Sequence, residues 1–134
     1  MNSAVETTAA GADAHFAQPR GKLALWTGVL GGPVAWALQL QAGYTIVRFT
    51  CSRQWLTAAH HAVTLAMLLV ALACTVIAAR EWVRAGREAS AGAEGGAGGR
   101  SRFLGALGVL TSGLFSLTIV AAWVPLFFLS PCWY

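Results

Sequence analysis

Two adjacent histidines, His60 and His61, sit inside a long apolar run and are the first residues to examine for chemistry. Ionisable side chains at membrane depth are expensive and mark functional candidates by default. Neighbouring residues on a helix point about 100° apart, so one metal cannot take both from the same face, and at most one is expected to face other helices. The chain holds three His in all, and the other two apolar runs hold none. A haem ligated by two His within one copy is therefore not expected. Ligation by a single His, or sharing with a second subunit, stays open. The plain reading is a His hydrogen-bonded to Gln39 or Gln41. Those glutamines, with Tyr44, Thr45, Thr57 and Thr64, make one end of the first two apolar runs polar. A sharper reading is a small pocket there for a quinone or a haem edge.

The three cysteines differ in setting. Cys51 and Cys132 lie just beyond the first and third apolar runs, whereas Cys74 lies deep in the second. On the topology given below, Cys51 and Cys132 share the oxidising side, where a disulfide between them would clamp two helix ends. Two thiols without carboxylates or an ordered His make a poor metal site, so no metal is expected. Cys74 reads as a small apolar packing residue. No hydrolase triad, CxxC, P-loop or carboxylate pair occurs, and no acid falls within an apolar run. An enzyme is not expected, and a proton pump would usually need an intramembrane acid.

The elements that must position these residues are three apolar stretches, at about 23–47, 55–79 and 103–129. The first carries no charge and reaches roughly 37 Å as a helix, enough for a hydrocarbon core of about 30 Å. Hydrophobic residues make up 57% of the chain and charged ones only 10%, against about 25% in soluble domains. The fold class is thus an all-α membrane protein with three transmembrane helices, occupying 22–134 as one domain. Residues 1–21 are rich in Ala, Thr and Gly without apolar periodicity and read as a disordered cytoplasmic tail. Cleavage as a signal peptide is not expected, because the first run is too long and Trp36 falls inside the supposed cleavage motif Ala35-Trp36-Ala37.

The link Arg48–Gln54 makes the first two helices antiparallel neighbours. Arg80 to Arg102 is the largest loop. Its first part extends the second helix as a charged stem, with Glu81 and Arg84 at pairing distance. The stretch 88–101 reads as a flexible cytoplasmic loop. Pro125 ends or bends the third helix near its close.

Arg20, Lys22, Arg80, Arg84, Arg87, Arg100 and Arg102 lie on one side of such a bundle, and only Arg48 and Arg53 on the other. The amino terminus and the long loop are therefore expected in the cytoplasm, and the carboxyl terminus in the periplasm or outside. The basic residues flank apolar runs, so the net charge of +4 reads as topology and not as nucleic-acid binding.

Helices in lipid associate through small residues and polar contacts. Gly28, Gly32, Ala35 and Ala42 form a stripe in the first helix, Ala58, Ala62 and Ala66 in the second, and Gly105, Gly108, Ser112 and Ser116 in the third. These stripes serve internal packing or docking to a partner, and a Gly31-Gly32-Pro33 break followed by Trp36 marks the first helix as the docking element.

The segment GGPVAWALQLQAGY followed by Cys51, with SPCWY at the end, resembles small three-helix membrane proteins encoded beside bacterial haem-copper cytochrome c oxidase subunits. Members tend to carry a His where Gln39 or Gln41 stands here, a departure that weakens any shared metal-binding role through the first helix. The resemblance implies a bacterial inner-membrane protein of the respiratory chain, an accessory subunit or assembly factor of a terminal oxidase. Its expected partners are the lipid bilayer and oxidase subunits. A haem- or quinone-binding module and a small oligomeric transporter are the alternatives.

Overall fold

The computed structural model describes residues 2–50, 52–53, 55–85 and 97–129. Cys51, Cys132, the 86–96 part of the long loop and the SPCWY end lie outside the described residues. The helices are α1 (Asn2–Ala17), α2 (Pro19–Thr50), α3 (Trp55–Arg84), α4 (Ala97–Trp123) and the short α5 (Pro125–Phe128). Three stretches are long and apolar enough to cross a membrane: α2, α3 and the run Gly99–Phe128 through α4 and α5.

The spanning helices pack all against all, and their glycines give the register. On α2, Gly28 lies against Ala78 of α3, Gly31 against Cys74 and Gly43 against His60, an antiparallel pairing. Gly32 lies against Ser112 and Gly28 against Gly108, so α2 and α4 run parallel. Gly105 lies against Trp82, which sets α4 antiparallel to α3. The sulfur of Cys74 fills the space that Gly31 leaves by lacking a side chain, and the thiol is free and buried.

The bundle is sorted inside out relative to a water-soluble domain. Its interior holds Ala35, Ala71, Ala78, Thr64, Ser112, Ser116 and Ile119. Its surface carries Trp26, Leu30, Leu38, Leu69, Leu110, Leu114 and Leu117. Large apolar side chains gain nothing by leaving lipid for protein, so small residues that let backbones approach take the contacts. The α2 stripe continues through Gly21, Leu25, Gly28, Gly32, Ala35 and Gln39, all buried. On α3 the expected stripe is corrected: Ala58, Ala62 and Ala66 are exposed, and Thr64, Ala71, Cys74, Ala78 and Glu81 are buried. Alanine is at no disadvantage against lipid, whereas Thr64 and Glu81 are, so the polar residues decide how the helix is turned.

Pro33 does not break α2. It has no N–H, so the carbonyl of Val29 loses its usual partner four residues on. The hydroxyl of Thr111 on α4 lies 3.3 Å from that carbonyl, within hydrogen-bond reach, and 2.8 Å and 3.3 Å from the carbonyls of Leu107 and Gly108 on its own helix. One residue on, Ser112 donates to the Gly28 carbonyl at 2.5 Å and accepts from the Gly32 amide at 3.2 Å. The Gly-Gly-Pro segment is thus repaired by hydroxyls from a neighbouring helix, the usual means of tolerating such residues in a span. At Pro125, α4 has stopped at Trp123 and α5 begins, in keeping with that residue's missing donor.

The stretch 1–21 departs from the disordered tail that its composition suggests. Residues Asn2–Ala17 are helical, and the end of α1 turns back onto the bundle. Phe16 is buried with Leu25 and Ala85, against Leu104. Nε2 of His15 lies 3.1 Å from Oε2 of Glu81, whose other oxygen accepts from Nη1 of Arg84 at 2.8 Å. Gly21 permits the tight corner, where an added Cβ would run into the backbone of His15 and Phe16. Ala-rich sequence favours helix without periodicity, and one buried aromatic anchors it.

Candidate functional site

The polar ends of α2 and α3 meet α4 and α5 in two adjoining hollows. One, of about 220 Å³, is lined by Gln39, Leu40, Gly43, Tyr44 and Val47 of α2, with His60, Ala122 and Leu126 across from them. The other, of about 150 Å³, lies between Val47, Thr50, Thr57, His60, His61 and the Pro125–Leu129 segment. His60, Val47 and Leu126 belong to both. Each hollow is smaller than the usual ligand pocket of about 300–1,000 Å³, and takes a single ring more readily than a macrocycle.

The two glutamines divide as their spacing requires. Gln39 is 4% exposed, and its Oε1 is buried without a hydrogen-bond partner. Gln41 is exposed and outside both hollows. Tyr44 stands at the rim, 73% exposed. Gly43, one turn beyond Gln39, places no side chain where the His60 ring sits: a Cβ there would stand 3.2 Å from Nε2. The absent side chain lets the imidazole lie against the α2 backbone.

The expectation that at most one His faces the bundle is corrected. His60 lies against α2, while His61 lies among rings of α4 and α5. In a three-helix bundle each helix has two neighbours in different directions, and the 100° step from His60 to His61 spans them. Neither Gln39 nor Gln41 is hydrogen-bonded to His61. Its Nδ1 instead accepts from the indole Nε1 of Trp123 at 2.8 Å. An indole only donates, so the neutral His61 carries its proton on Nε2. Phe127 completes the cluster, 5.1 Å from His61 and 5.7 Å from Trp123 between centroids. Trp123 thus ties the end of α4 to α3. Its spacing from Pro125 was visible in sequence, but nothing there ties it to a residue 62 positions earlier.

Docking through Gly28 and Gly32 is likewise corrected, because both are buried against α3 and α4. Pro33 is half-buried, and Trp36 packs on Phe115 with centroids 5.3 Å apart. Gly108, Ser112 and Ser116 are buried in the same interfaces. Among the described residues no three His, Cys, Asp or Glu gather as metal ligands. Of the two imidazoles that line these hollows, His60 borders both and His61 only the smaller. Compared with known protein families, curated proteins and solved structures, the chain matches none.

Proposed function

We propose that this chain is a non-catalytic, multi-pass protein of the bacterial inner membrane that serves a respiratory terminal oxidase as accessory subunit or assembly factor. The observation that carries this reading is the large apolar surface that the bundle presents outward. The glycine and serine faces of α2 and α4 are spent on each other and on α3, so the bundle needs no partner to be complete. It meets its surroundings through large apolar side chains. Trp26, Leu30, Val34 and Leu38 follow one another at four-residue spacing along α2, all about half exposed. Such a ridge suits lipid or the flank of a larger membrane complex. The oxidase partner comes from the resemblance of GGPVAWALQLQAGY and SPCWY. In this reading the amino terminus and long loop are cytoplasmic, and Cys51 and Cys132 are paired on the far side.

The test is purification of the tagged protein from its native membrane in gentle detergent, with mass-spectrometric identification of what accompanies it. Oxidase subunits in stoichiometric amount are expected, and Leu30→Ala with Leu38→Ala should reduce them while the protein still inserts. Recovery of the protein without oxidase subunits overturns the reading.

A further inference from the structure

We infer that the His61–Trp123–Phe127 cluster is an acid-released latch: it holds α5 against α3 while His61 is neutral, and lets α5 go when the imidazole takes a second proton. The inference rests neither on the oxidase reading nor on which side of the membrane this end of the bundle faces.

Three observations converge. The first is the direction of the bond. Trp123 Nε1 donates to His61 Nδ1 at 2.8 Å. An indole nitrogen only donates, and an imidazolium has two donors and no acceptor. Protonated at Nδ1, His61 would set one N–H against another at that distance, so the closed latch excludes the cation. His61 takes its second proton when the bond opens, and the charged ring cannot close it again. The second observation is what the bond holds. Phe127, on α5, has its ring 5.1 Å from that of His61. Between Trp123 and Phe127 stands Pro125, which has no N–H to continue the ladder of α4, so the ring cluster ties α5 to α3 beyond an interruption in the helix. The third is room. The hollow of about 150 Å³ lies between the two elements, with Thr57, His60 and His61 on one side and Pro125, Leu126 and Leu129 on the other. It leaves α5 space to shift, and its hydroxyl and imidazole groups suit water beside His61.

Few charged or titratable groups surround the latch. His60, the neighbour on α3, is the other titratable group of this hollow, and Tyr44 belongs to the adjoining one. From α2 and α5 the hollow receives uncharged side chains, and α4 meets His61 through Trp123. Arg48 and Arg53 stand exposed at the same end. No Asp or Glu occurs between positions 14 and 80 or after position 94, so no side-chain carboxylate stands at this end to receive the imidazolium. Acidification from about pH 8 to about pH 5, where histidine side chains change charge, therefore opens the latch.

The test uses the full chain with isotope-labelled tryptophan in phosphatidylcholine nanodiscs, over that same pH range. The NMR signal of the Trp123 indole N–H, identified by its loss in Trp123→Phe, reports the bond. Hydrogen–deuterium exchange of the α5 amides reports release. On acidification the indole signal is expected to move from a hydrogen-bonded to a free position. His61→Asn keeps an acceptor oxygen near the place of Nδ1 but does not titrate, so its indole signal should stay where it is. Comparing the two proteins at each pH cancels the intrinsic pH dependence of exchange. Native α5 should exchange like the variant at about pH 8, and about fivefold faster or more at about pH 5. His61→Phe, which offers no acceptor, should show a free indole and fast α5 exchange at every pH, and His60→Asn should leave the transition in place. An indole signal that ignores pH overturns the proposal, as does α5 exchange that His61→Phe leaves unchanged. A transition that persists in His61→Asn and vanishes in His60→Asn would assign the proton to His60, and overturns it as well.

Discussion

Ser112 is the residue on which the most backbone chemistry depends. Its hydroxyl stands between the Gly28 carbonyl and the Gly32 amide of a helix 80 or more positions away. Ser112→Ala should destabilise the bundle by on the order of 1 kcal/mol, the usual size of an interhelical hydrogen bond in a membrane. Reversible unfolding by SDS titration measures it. Gly28→Leu should cost about 3 kcal/mol or more in the same assay, because a Cβ there would meet the Cβ of Ala78 at 2.8 Å and neither backbone can yield cheaply. The stripe Gly28, Gly32, Ala35 was legible in sequence because helical spacing is all it needs. The task of Thr111 was not: Pro33 announces an orphan carbonyl, but only packing says which hydroxyl reaches it. The same holds for Gln39. Sequence divides it from Gln41, while the missing partner for its oxygen becomes visible only with α3 and α4 in place.

At the scale of elements, α1 shows where reading by periodicity fails. One aromatic, Phe16, and one carboxylate on another helix, Glu81, fix its end, and neither contact leaves a repeating pattern. Phe16→Ala removes most of that anchorage, roughly 2 kcal/mol of apolar burial. Trypsin cleavage after Arg20 in the detergent-solubilised protein should then quicken by about tenfold or more, since cutting follows the population of the opened form. Unchanged cleavage would mean that α1 is held by other contacts. The rotation of α3 carries the same lesson. Its alanines form a stripe as regular as the glycines of α2, yet polar side chains on another face outweigh them. The glycine stripe is reliable because its backbone can be approached more closely than any other. An alanine stripe carries less information, since alanine suits lipid and protein alike.

The three spans are a parallel pair, α2 and α4, in direct contact, with α3 packed against both in the opposite sense. Seven of the nine basic residues fall on the side of the amino terminus and the 80–102 segment, so that side is expected in the cytoplasm. With the native cysteines replaced, a cysteine at Ser52 should react with a membrane-impermeant maleimide in intact cells, and one at Ser3 only after the cells are opened. The reverse pattern would invert the topology. Length and charge placement made the three spans readable, because those depend on the thickness of the bilayer and not on the neighbours.

The repair of the Gly-Gly-Pro segment by α4 has a consequence in time. The chain is made from its amino terminus at about 5–20 residues per second, and Ser112 follows Gly32 by 80 positions. The first span therefore waits some seconds (about 4–16 s at that pace) before its helper exists. Throughout that interval the Val29 carbonyl has no amide at position 33 to meet. A nascent chain halted after α3 would hold its first helix in an unfinished state, and release of α4 is the event that completes it.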